Sequence, residues 1–88
     1  MELKKRAFAG TMESSDAYVE LEPCESGIVL HVESVVEEQF GDAIRASVLA
    51  VLSENDISAA RVRVVDKGAL DCVIRARVET ACLRGKEA

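Results

Sequence analysis

The chain has 88 residues, 49% apolar and 31% charged, which suits one small folded domain over residues 1–88 and excludes both a second core and a disordered tail. Sixteen acids against eleven bases leave a net charge of −5. Such a surface repels phosphate backbones and anionic lipid, so no nucleic acid and no membrane is expected as a partner.

Lys4-Lys5-Arg6 is the one basic cluster, and no apolar run follows it that would make a signal peptide or a membrane span. Residues 7–12 read as extended, a short extra strand at most, with Gly10 as punctuation. Glu13-Ser14-Ser15-Asp16 then sets two adjacent hydroxyls between two acids. A turn or an Asx-type cap is one reading, since such side chains compete for nearby backbone groups. A group covalently hung on one hydroxyl is the other. Ala17, Val19 and Leu21 alternate with Tyr18, Glu20 and Glu22, the period of a half-buried strand. Turn chemistry at Pro23–Gly27 breaks it, and Ile28, Leu30 and Val32 resume the alternation against Val29, His31 and Glu33. Two strands so joined predict an antiparallel hairpin.

At Ser34 the period changes. Ser34-Val35-Val36-Glu37 fits a capping box, the serine accepting from the backbone while Glu37 reaches back. Val36, Phe40, Ala43, Ile44, Val48, Val51 and Leu52 recur at helical spacing, and Asn55-Asp56 ends the run. Gly41 inside this helix costs about 1 kcal/mol relative to Ala and marks a close approach to a strand or a partner. Ala60, Val62 and Val64 alternate with Arg61 and Arg63 as a third strand, interrupted at Asp66-Lys67-Gly68. Leu70, Val73, Ile74, Val78, Ala81 and Cys82 form a second helical stripe. Cys72, Ile74, Ala76 and Val78 also alternate, but the length and the Ala, Leu and Arg content favour a helix. The order β-β-α-β-α, with the short amino-terminal strand as an addition, gives an α+β fold. Two helices cover one face of a small mixed sheet, and the strand–helix–strand unit makes its two strands parallel.

Catalytic equipment is sparse, and no catalytic residue is assigned. The sole histidine, His31, falls on the charged face of a strand, where a solvated side chain is the ordinary outcome. No cysteine or serine stands near it in a nucleophile–base spacing, and no phosphate-cradling glycine loop or calcium loop is present. Cys24, Cys72 and Cys82 are odd in number and lack CxxC spacing. They read as free thiols in a reducing cytoplasm, supporting neither a disulfide framework nor a metal site. Asp66–Asp71 reads as a turn and a helix start, with Leu70, Val73 and Ile74 packing inward. Partner docking is its other reading, with Arg75 and Arg77 as contacts in place of a solvated face.

Taken together, "AGTMESSDA", "QFGDAIR" and "DKGALDCVIRARVE" resemble, in order and spacing, the citrate lyase acyl carrier proteins, the gamma subunits of that lyase. Met12 stands where that family more often has Leu. The resemblance implies that Ser14, the first serine of the pair, is joined through a phosphodiester to 2'-(5''-phosphoribosyl)-3'-dephospho-CoA. It implies a thiol on that group carrying acetyl as a thioester. A citrate lyase alpha subunit (the acyl transferase) would exchange acetyl for citryl, and a beta subunit (the citryl lyase) would release oxaloacetate. A cofactor-attaching transferase would load the carrier. Glu13 and Asp16 would then flank the diester, and would face away, orient the loop, or meet basic groups on a partner. The acyl carrier subunit of malonate decarboxylase is the nearest alternative, and an unmodified interaction module is the other.

Overall fold

The structure, a computed structural model, describes residues 2–87, the side chain of Glu37 excepted. Four strands and two helices follow in the order β1 (Ala7–Gly10), β2 (Ala17–Glu22), β3 (Gly27–Ser34), α1 (Glu37–Glu54), β4 (Ala59–Asp66) and α2 (Asp71–Lys86). The α+β two-layer expectation stands, and the short amino-terminal strand is present as β1. The sheet runs β1-β2-β4-β3, antiparallel at β1/β2 and β2/β4 and parallel at β3/β4. The strand–helix–strand unit is therefore parallel, as expected.

The predicted hairpin is not formed. Strand β4 lies between β2 and β3, pairing Leu21 with Val62 on one side and Leu30 with Val62 on the other. Burial explains the insertion. Ala60, Val62 and Val64 are almost wholly buried, and Val65 and Asp66 nearly so, whereas β3 buries only Val32. The most apolar strand gains most from the centre, and the more exposed one takes the edge. Residues 23–26 span the gap, since two strand spacings of about 4.8 Å lie within the reach of four extended residues at about 3.3 Å each.

Both helices cover one face. Their inward residues Val48, Leu52, Val78, Ala81 and Cys82 meet Ala17, Val19, Leu21, Val62 and Val64 of the sheet. In α2 the buried positions Ile74, Val78, Ala81, Cys82 and Gly85 follow helical spacing, while Cys72 and Ala76 are exposed, so the alternating reading of this segment fails. The other sheet face is open and charged, with Arg6–Glu20 at 3.0 Å and Arg61–Glu22 at 3.5 Å. His31 is exposed on edge strand β3, 3.4 Å from Glu33.

Helix α1 begins differently from the capping-box expectation. Its N-cap is Val36, with no side-chain cap bond. Ser34 is still paired with Asp66 in the sheet, and its hydroxyl accepts from the Val36 N–H and donates to the Asp66 carboxylate at 2.7 Å. The Glu37 half of that box lies outside the described residues. Asp56, at φ 58°, turns the chain after the Asn55 C-cap.

The topology brings the ends of β1, β3 and β4 to one edge of the molecule. Their outgoing loops, residues 11–16, 35–36 and 67–70, therefore gather there.

Candidate functional site

The Ser14 loop is built from its glycine outward. Gly10 leaves β1 at φ 90°, and a Cβ there would stand 1.8 Å from the Ala17 carbonyl oxygen. Only glycine allows that approach. Thr11 Oγ1 accepts from the Glu13 N–H at 3.2 Å and donates to Asp16 Oδ2 at 2.7 Å. The Asp16 N–H donates to the Glu13 carbonyl at 3.1 Å, closing a four-residue turn whose two central residues are Ser14 and Ser15.

The serines differ within that turn. Ser15 is left-handed, at φ 65°, and its N–H donates to the Lys67 carbonyl at 2.8 Å. The Lys67 N–H returns a bond to the Asp16 carbonyl at 2.9 Å. Ser15 thus holds the loop to the segment after β4. Ser14 is exposed at the tip, and its hydroxyl forms no hydrogen bond among the described residues. Ser15 is exposed as well, and its hydroxyl too forms no hydrogen bond among the described residues, so the two serines differ in backbone and not in hydroxyl access.

Asp16 orients the loop, which resolves the three roles open to it in sequence. Its carboxylate accepts from Thr11, from the Ala17 N–H at 2.7 Å, and from Arg77 Nε and Nη2 at 3.0 Å each. The Arg77 guanidinium, then Thr11 and the Ala17 N–H, pull its pKa from 3.8 down to about 2. The basic partner belongs to this chain. Arg77 is accordingly not the solvated residue expected on α2. Its partner stands 61 positions away, and no spacing rule reaches that far.

The neighbouring loop is shaped by Asp66, 1% exposed. Its carboxylate accepts from Ser34 and from the N–H groups of Gly68 and Ala69, at 3.2 and 2.8 Å, and its carbonyl accepts from Val35. Gly68 completes the turn at φ 92°. Asp71 sits in the first turn of α2 and accepts from Ser47 and from Arg75 at 2.8 Å, which together hold its pKa down. Leu70 does not pack inward. As the extended N-cap of α2 it precedes the helical stripe and is 72% exposed. Phe40 and Ala43 are exposed as well, and with Val36, Ile44, Leu70 and Ile74 they line an open apolar cleft of about 340 Å³. Among the described residues no His, Cys, Asp and Glu side chains cluster to hold a metal, and no helix is long and apolar enough to cross a membrane.

Comparison with known proteins places this geometry in context. The family model described as malonate decarboxylase delta subunit (MdcD) matches residues 4–85. The chain is 49% identical to the citrate lyase acyl carrier protein of Escherichia fergusonii, over 99% of this chain and 91% of that one. It is 53% identical to the protein of that name from Vibrio cholerae, over 96% and 87%, and 49% identical to that of Latilactobacillus sakei, over 97% and 84%. Among solved structures, a chain of the Pseudomonas malonate decarboxylase hetero-tetramer in complex with malonate superposes with a TM-score of 0.78 at 25% identity, over 92% of this chain and 84% of that one.

Proposed function

This chain belongs to the citrate lyase acyl carrier proteins, and from that premise we propose that Ser14 is the residue on which its prosthetic group is carried. The group is 2'-(5''-phosphoribosyl)-3'-dephospho-CoA, attached by a phosphodiester. The observation that carries the assignment is in the backbone of the turn: both serines are exposed with unbonded hydroxyls, but the Ser15 amide is engaged in holding the loop, and Ser14 makes no hydrogen bond among the described residues.

The site's donors and charges fit the group. An anion joined at Ser14 lies between two acids in the chain, but Asp16 is already offset by Arg77. Glu13 is exposed to water, where repulsion is screened. When attached, the group supplies a thiol that holds an acyl chain as a thioester. The chain itself supplies an exposed hydroxyl, a rigid base beneath it, and a surface for partners. Catalytic side chains belong, in this reading, to alpha and beta subunits of a cytoplasmic lyase complex. A tether replaces their free encounter with the acyl group by a high local concentration.

Malonate decarboxylase is the second reading, supported by the family model and the solved neighbour. Near 50% identity to citrate lyase carriers against 25% to the malonate decarboxylase chain favours the first. The test is intact mass and peptide mapping after co-production with the loading enzymes. The wild type and Ser15→Ala should gain the phosphoribosyl dephospho-CoA increment on the Ser14 peptide, and Ser14→Ala should gain none. A loaded Ser14→Ala overturns the assignment.

A further inference from the structure

A six-residue surface connection is ordinarily among the more mobile parts of a small domain. This one is held from three directions. Thr11 binds Asp16 from the loop entry, the Ala17 N–H from the start of β2, and Arg77 from the middle of α2. We propose that the Asp16–Arg77 pair is a latch that presents Ser14 to the loading transferase in a fixed pose, with Arg77 as a positioning residue. The proposal rests on Ser14 being the attachment point.

Three observations carry it. First, the contact is a fork: Nε and Nη2 each reach a different carboxylate oxygen at 3.0 Å. Two parallel bonds fix angle as well as distance, which a single ammonium contact does not. Second, the pair is dispensable for joining the strands it sits beside. The ends of β2 and β4 are already knit by Ala17–Asp66 pairing and by the Lys67 N–H on the Asp16 carbonyl. What the fork adds is the orientation of the loop. Third, the loop includes a left-handed serine, a strained conformation for a residue with a side chain, which persists only where surrounding bonds over-determine it. A nucleophilic hydroxyl presented in one pose spares the transferase the ordering of the segment on encounter.

The experiment measures transferase kinetics with the whole chain as substrate, alongside backbone amide exchange. Arg77→Gln should lower kcat/KM at least tenfold. The loss should fall in KM and be recovered at saturating carrier, because binding energy then re-orders the loop. Arg77→Lys should fall between Arg77→Gln and the wild type. Arg75→Gln, which breaks a pair with Asp71 on the same helix, should stay within twofold. In Arg77→Gln the Ser15 amide should lose protection while the Val19 and Val64 amides keep theirs, which separates loop release from unfolding. Thr11→Val removes another arm of the latch without touching α2 and should lower kcat/KM in the same way if Arg77→Gln does not fold. An Arg77→Gln chain loaded at the wild-type kcat/KM, or an Arg75→Gln chain equally impaired, overturns the latch alone. A wild type that gains no mass on Ser14 removes the attachment reading, and the latch with it.

Discussion

Gly10 is the residue on which the Ser14 loop turns, and it is the least replaceable position in that loop. Alanine there must relieve a 1.8 Å approach to the Ala17 carbonyl and adopt a φ of 90°. Backbone oxygen cannot swing aside as a side chain does, so β1 or the start of β2 must move. Gly10→Ala should destabilise the fold by about 2 kcal/mol, within the range of strained-φ costs. A thermal melt should show a fall on the order of 10 °C for a domain of this size, and an unchanged melting point would refute the account. Legibility at this scale was uneven. The turn that holds Ser14 was readable because its signal, "AGTMESSDA", is contiguous. Arg77 was not, because its role is defined by an acid across the fold, and a lone arginine on a helix looks like any solvated charge.

Among the elements, periodicity showed which residues face inward more reliably than which strands are neighbours. Inward residues of β2, β4 and α2 followed their alternation or stripe closely, because burial acts residue by residue on a fixed backbone period. The β2/β3 pairing did not, because adjacency depends on the competition among all strands for the centre, and β4, which arrives later in the chain, wins it. Phe40 and Leu70 show the same limit at helix ends. A stripe predicts burial only where another element lies beneath, and the first turns overhang the cleft. Two truncations make this quantitative. Leu52→Ala, at a position 1% exposed, should cost about 2–5 kcal/mol through lost transfer energy and a cavity. Leu70→Ala, at 72% exposed, should lie within about 0.5 kcal/mol of wild type. Urea midpoints with an unchanged m-value would check both, and similar losses at the two sites would mean the cleft is closed in solution.

For the molecule as a whole, the response to acid follows from how its carboxylates are held. Glu2, Asp16, Glu20 and Asp71 all titrate below their ordinary values, each chiefly because a hydroxyl or guanidinium donor binds the charged form. A carboxyl that holds its proton less readily folded than unfolded stabilises the fold fully above its unfolded pKa. That contribution is lost as pH falls through the folded value. Stability should therefore be level from about pH 7 to 5, bend downward near the ordinary values of 4.5 and 3.8, and keep falling toward pH 2, where Asp16 finally protonates. On the alkaline side the sign reverses. Burial pushes the Cys82 thiol up to about 11, so the unfolded chain ionises first and stability declines above pH 9. Only the acid limb involves the latch. Removing the Arg77 guanidinium takes away the largest cause of the Asp16 depression, so Arg77→Gln should be less stable at pH 7 yet lose less between pH 4 and pH 2. The two stability curves should converge in acid. Urea denaturation of both chains across that range would test this, and parallel curves would mean that Asp16 does not depend on Arg77 for its charge.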